Sequence, residues 1–115
     1  MAENTIFGKI IRGEIHADIV YNDDLCIAFK DINPQAPHHI LVMPKEQIVG
    51  VQAADVKHQQ LLGHLLLRAA DIARSEGIDD SGYRLVINAG GDGGQTVSHL
   101  HIHILGGRQM TWPPG

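Results

Sequence analysis

Ser98-His99-Leu100-His101-Ile102-His103-Ile104-Leu105 places three histidines at alternate positions, with apolar residues between and after them. Alternation of this kind belongs to a β-strand, whose successive side chains point to opposite faces. The reading puts His99, His101 and His103 on one face and Leu100, Ile102 and Ile104 on the other, toward a core. Imidazole is the side chain whose unperturbed pKa lies near neutral pH, so the row suits nucleophilic, acid–base or metal chemistry.

Working outward from this strand, Ala89 to Gln95 is a glycine-dense loop, preceded by a strand at Tyr83-Arg84-Leu85-Val86-Ile87-Asn88. Upstream, Val56, Leu61, Leu65, Ala69, Ile72 and Ala73 recur at helical spacing, which predicts a helix over about 54–76 with Asp55 in its first turn and Gly77 as its stop. Leu62, Leu66 and Leu67 widen its apolar stripe, as a buried helix or one packed on a second subunit requires. His39-Ile40-Leu41-Val42-Met43 reads as a strand entered from the proline-punctuated loop 31–37. Ile19-Val20-Tyr21 and Leu25-Cys26-Ile27-Ala28-Phe29 read as a hairpin turning at Asn22-Asp23-Asp24. Thr5 caps a short helix through Ile11, which Gly13 ends. Strands joined by short turns with one long inserted helix imply an α+β fold on an antiparallel sheet, in one domain spanning 1–115.

Composition narrows the function. With 43% apolar residues and a net charge of −4 over 115 residues, nothing favours binding to a nucleic-acid backbone. Cys26 is the single cysteine, which leaves no intramolecular disulfide and no cysteine-based zinc site. The amino-terminal stretch lacks the apolar run of a signal peptide, and no segment reaches membrane-spanning length, so a cytoplasmic protein without membrane partners is expected.

The histidine row admits four readings: solvated residues on an outer face, a metal site, a pH-sensing cluster, or covalent catalysis at phosphorus. On an extended strand at ~3.3 Å per residue, His99 and His103 stand about 13 Å apart, too far to share one zinc at about 2.0 Å. His39 could add a ligand, but no nearby cysteine or carboxylate completes a familiar set. Catalysis at phosphorus needs donors for the phosphoryl oxygens. The loop Gly90-Gly91-Asp92-Gly93-Gly94-Gln95-Thr96 offers backbone N–H groups and the side chains of Gln95 and Thr96, with Ser98 beyond.

His99-Leu100-His101-Ile102-His103-Ile104-Leu105 resembles the His-φ-His-φ-His-φ-φ motif of the histidine triad (HIT) superfamily of nucleotide hydrolases and transferases. The stretches Thr5–Ile11, Ala28-Phe29, Asp31-Ile32, Pro34–His39, Gly93–Gln95 and Leu105–Gly115 are similar to its Hint branch, so the likeness runs from Thr5 to Gly115. It implies a five-stranded antiparallel sheet with one long and one short helix, dimerising into a continuous ten-stranded sheet. It also implies a purine nucleoside phosphoramidase that cleaves adenosine 5′-phosphoramidates through a nucleotidyl-histidine, with no cofactor and no catalytic metal. The alternatives are a non-catalytic nucleotide-binding interaction protein and a dinucleoside polyphosphate hydrolase.

Carried over by position, His101 is the expected nucleophile and His103 contacts the phosphate or leaving-group side. His99 bonds within the triad, with His39 behind it; His38 is a surface residue facing the other way. Ile6, Phe7, Phe29 and Ile32 wall a purine, although Phe7 and Phe29 could be core alone. Asp31 accepts from the ribose hydroxyls, and Asn88, Gly94, Gln95 and Thr96 bind the ribose-phosphate region. Trp112 reaches the partner subunit's site in the homodimer. Thr96 replaces a frequent serine, and Ser98 a frequent aromatic residue; neither change removes a required group.

Overall fold

The computed structural model describes residues 4–115. Its elements are α1 (Ile6–Ile11), β1 (Ile19–Asn22), β2 (Cys26–Lys30), β3 (His38–Pro44), α2 (Gln59–Ser75), β4 (Tyr83–Val86) and β5 (Ile102–Gly106). The strands form one antiparallel sheet in the order β1-β2-β3-β5-β4, so the α+β class and the five-stranded sheet are as the sequence predicts. β5 is laid between β3 and β4 although it is last in sequence.

Strand alternation divides the interior in two. Cys26, Ala28, Ile40, Val42, Ile102 and Ile104 point to one face, where Leu65, Ala69, Ile72 and Ala73 of α2 cover them. Ile27, Phe29, Leu41 and Met43 point to the other, where Phe7 and Ile10 of α1 close a smaller cluster. A strand buried on both faces needs apolar residues throughout, which is why β2 and β3 read as nearly continuous hydrophobic runs. His39 and His103 share the α1 face with Phe29 and Leu41, and the site is built there.

The helix ends follow local rules. The Thr5 hydroxyl accepts from the Gly8 N–H at 3.1 Å, a cap worth about 1 kcal/mol. Gly13 follows the helix with φ +76°, a conformation that glycine adopts without strain. The long helix starts later than its periodicity implies. Ala54 is extended (ψ 156°), and Asp55 caps a separate 3₁₀ turn at Val56–His58, accepting from the Lys57 N–H while the His58 ring accepts from the Asp55 N–H. A side chain that competes for backbone donors delays the helix to Gln59, and Val56, expected in its stripe, is 87% exposed. Leu66 and Leu67 also face outward. His38 faces the α2 side, as expected, and there its ring bonds Glu76 at 3.0 Å, just past the helix.

The histidine segment departs most from expectation. β5 begins at Ile102, so only His103 lies on the strand. His99 and Leu100 run in irregular chain, held where the Leu100 N–H donates to the Ile48 carbonyl at 2.7 Å. The expected division into a histidine face and an apolar face nevertheless persists outside the strand: Leu100 packs with Ile102 and Ile104 in the α2-side cluster, while the rings of His99 and His101 lie against Phe7 of α1.

Candidate active site

Phe7, Phe29 and Leu41 floor a cavity of about 440 Å³ on the α1 face of the sheet, and His39, His101 and His103 converge on it. Phe7 is 7% exposed and Phe29 5%, so each belongs at once to the core and to the wall. The Phe7 ring stands edge-on to His101, with centroids 4.9 Å apart, and to Phe29 at 5.7 Å. The rings of His101 and His103 lie 5.0 Å apart, and those of His39 and His103 5.2 Å.

Hydrogen-bond partners set which nitrogen of each ring carries the proton. Burial holds all four rings below the ordinary histidine pKa; His103 is brought down to about 4 by burial and then by the charges of His101 and His39, against the pull of Asp31. All four are therefore neutral near pH 7, with one N–H each. His101 Nδ1 lies 2.7 Å from the His99 carbonyl, which can only accept; Nδ1–H donates, and the lone pair is on Nε2. His99 Nε2–H donates to the Pro44 carbonyl at 2.8 Å.

His39 and His103 form a chain by the same logic. The Gln35 N–H donates to His39 Nδ1 at 3.0 Å, so the proton of His39 is on Nε2. Nε2–H donates to His103 Nδ1 at 2.9 Å, which leaves the proton of His103 on its own Nε2. That Nε2–H is buried and has no hydrogen-bond partner among the described residues. An unmade bond of this kind costs about 1–3 kcal/mol, which an incoming acceptor recovers. The cavity thus offers a free imidazole lone pair on His101 beside an unsatisfied donor on His103.

Two sequence expectations change here. His39 bonds His103, not His99: it sits opposite Leu105 in the β3–β5 register, and diagonal to His103 on the same face. His99 turns away, to Pro44, and serves His101 through its backbone carbonyl. A carboxylate does stand near His39, since Asp31 Oδ2 is 3.4 Å from its Nε2.

Of the other predicted positions, Ile6, Asp31, Ile32 and Thr96 line the cavity with Phe7 and Phe29; Asn88, Gly94 and Gln95 are not among its lining residues. Three of the glycine loop's backbone donors are spent on the loop itself. Gly94 N–H donates to the Gly91 carbonyl, Gln95 N–H to that of Gly90, and Gly90 N–H to Gln95 Oε1. The Gln95 amide also donates to the Val49 and Val97 carbonyls, so it ties the loop to the body. Thr96, beyond the loop, is a lining residue of the cavity. Trp112 is 84% exposed, next to Thr111, whose carbonyl accepts from Arg84 of β4 at 2.8 Å.

Sequence reasoning missed Ile15, His16 and Ala17, which line the cavity between α1 and β1. An apolar Ile15 in a polar connection was the available signal. The Gln35 N–H left none, being a backbone group.

Among the described residues, two sets of donor atoms lie close enough to share an ion. In Asp31, His39 and His103, an ion would have to replace the His39–His103 bond. In Asp23, Cys26 and His64, the Asp23 carboxylate already takes four donors, from Tyr21 Oη, His64 Nε2 and the N–H groups of Leu25 and Cys26. Burial, then the Asp23 charge, pushes the Cys26 thiol up to about 12.

Residues 12–110 match the family model for the HIT domain. An uncharacterized HIT-like protein of Synechococcus elongatus is 64% identical over 115 residues, the whole of both chains. A 14 kDa zinc-binding protein of maize is 53% identical over 113 residues, covering 96% of this chain and 88% of that one. The crystal structure of a HIT family hydrolase from Legionella pneumophila superposes with a TM-score of 0.95 at 49% identity, over 97% of this chain and all of the other. That of a histidine triad nucleotide-binding protein from Candida albicans does so with a TM-score of 0.82 at 26% identity, over 96% and 83%. With the triad geometry and the sheet order in place, the conclusion is that this chain belongs to the HIT family.

Proposed function

We propose that the protein is a purine nucleoside phosphoramidase of the Hint type, cleaving the P–N bond of adenosine 5′-phosphoramidates. One observation carries the reading: the Nε2 lone pair of His101 is left free because Nδ1–H is tied to the His99 carbonyl. A neutral, oriented imidazole is a competent nucleophile at phosphorus. The apolar wall of Ile6, Phe7, Phe29 and Ile32 suits a purine, the Asp31 carboxylate suits a ribose diol, and His103 Nε2–H and the Thr96 hydroxyl suit phosphoryl oxygens.

His101 Nε2 attacks phosphorus and the P–N bond breaks, its electron pair staying with the amine, which takes up one proton. Water then bonds to phosphorus, the bond to His101 breaks and returns its pair to the ring, and one proton leaves with release of AMP. A relative named for nucleotide binding supports the ligand class, and one named as a hydrolase supports the reaction class.

The molecule is read as a homodimer. β4 is at the sheet edge, and Leu66 and Leu67 lie exposed on α2 at 46% and 63%. A partner strand on β4 would continue the sheet, with Trp112 available to the partner's site.

Turnover of AMP-amine, GMP-amine and diadenosine polyphosphate substrates, before and after exhaustive chelation, tests the function. Preferred cleavage of the AMP-amine, unaffected by the chelator, is expected. Tight AMP binding without turnover of any phosphoramidate would transfer the reading to a nucleotide-binding interaction protein, and activity lost on chelation and restored by zinc would transfer it to a metal mechanism.

A further inference from the structure

Asp31 is fixed at three points. Its N–H donates to the His39 carbonyl at 3.0 Å, its Oδ1 accepts from the Asn33 N–H at 2.9 Å, and its Oδ2 stands 3.4 Å from His39 Nε2. Its side chain is 20% exposed and that of His39 4%, so water screens the pair only in part. The His39 Nε2–H is the same group that reaches His103 Nδ1 at 2.9 Å. That N–H is hydrogen-bonded to the imidazole nitrogen, while the carboxylate oxygen stands close to the same nitrogen without a hydrogen bond to it. The carboxylate carries the charge and the imidazole has the shorter distance.

We propose that Asp31 is a positioning residue that couples recognition of the ribose to the hydrogen-bond chain holding His103. The proposal rests on the nucleotide reading above and adds a second task for a residue assigned there to the sugar alone. A ribose hydroxyl that donates to Oδ2 satisfies that oxygen and reduces its pull on His39 Nε2–H. The existing bond to His103 Nδ1 then strengthens, which holds the proton of His103 on Nε2 for the phosphoryl group. Without a hydroxyl on Oδ2, the unpaired carboxylate charge pulls on the N–H and weakens its bond to His103 Nδ1 without replacing it. The 2′ and 3′ hydroxyls consequently act on the chemical step as well as on binding.

Two measurements on the full-length protein test the coupling. Steady-state kinetics compare an adenosine phosphoramidate with its 2′,3′-dideoxy counterpart at saturation. In the wild-type protein, kcat for the dideoxy substrate is expected to fall by about tenfold or more, beyond the rise in KM. In Asp31→Asn, kcat should become insensitive to the hydroxyls. Imidazole ¹⁵N shifts of His39 and His103, recorded with saturating AMP and with saturating 2′,3′-dideoxy-AMP, provide a readout without turnover and without a variant. A stronger His39–His103 bond with AMP is expected.

Equal kcat for both substrates, with only KM changed, removes the coupling and leaves the phosphoramidase reading intact. Identical ¹⁵N shifts in the two complexes do the same. Failure to bind AMP and to turn over any phosphoramidate removes both.

Discussion

His39 Nε2 lies 2.9 Å from His103 Nδ1 across 64 residues of sequence, and this bond decides which proton the cavity receives. Because the Gln35 N–H occupies the far side of His39, the direction of the chain is fixed, and His103 presents a donor.

Removing the nucleophile separates binding from chemistry. His101→Ala is expected to lower phosphoramidate turnover by about 10³-fold or more while AMP still binds, since the apolar wall and Asp31 are untouched. Single-turnover kinetics and equilibrium AMP binding on the same preparation check both halves. Near-wild-type turnover would end the covalent mechanism.

His39→Ala withdraws the donor from His103 Nδ1 and leaves the Gln35 N–H without its acceptor. A loss in kcat of roughly 10- to 100-fold is expected, with a smaller change in KM, the lower end of what positioned proton-handling groups contribute. Equal kcat in the variant would show that the His39–His103 bond plays no part in turnover.

The pH dependence follows from burial. His39, His99, His101 and His103 are all held below the ordinary histidine value, first by desolvation. His101 stays neutral as pH falls from 8 to about 6.5, so kcat/KM should be flat there and decline only in more acidic solution. For stability the sign is the same. The unfolded chain takes up protons below about 6.5, where the folded rings do not, so stability is full above that pH and falls with acid. For His103 the window runs from the unfolded value down to about 4. Denaturant midpoints measured across this range should drop steadily toward low pH.

Asp23 ties the β1–β2 turn to α2. Burial alone would raise its pKa, but bonds from Tyr21, the Cys26 N–H, His64 and the Leu25 N–H outweigh burial and hold it well below the usual carboxylate range. The carboxylate therefore stabilises the fold above the unfolded value near 3.8, and this is lost as pH falls toward the depressed folded value. Asp23→Asn should cost roughly 2 kcal/mol in chemical denaturation, through the weakened network, with kcat unchanged because the group lies away from the cavity.

Leu67→Glu probes the homodimer. A charge on this exposed apolar face of α2 should raise the dimer dissociation constant by about tenfold or more, read by sedimentation velocity, with far-ultraviolet circular dichroism unchanged. A wild-type chain that sediments as a monomer would refute the dimer outright.

By itself, the sequence determined the elements and their chemistry. Period-two and helical patterns placed five strands and two helices to within a few residues, because each pattern reflects which side of an element is buried. The triad and the aromatic wall at Phe7 and Phe29 were legible as residue types in a fixed motif. Tertiary structure decided what those residues do to one another. Where β5 begins depends on partners far along the chain: Ile48 and Pro44 hold Leu100 and His99 outside the strand. A carbonyl or an N–H exists at almost every residue, so its use at Gln35 or His99 carries no mark in the sequence. Only the folded arrangement assigned each imidazole its proton, gave His39 to His103, and brought Asp31 to His39.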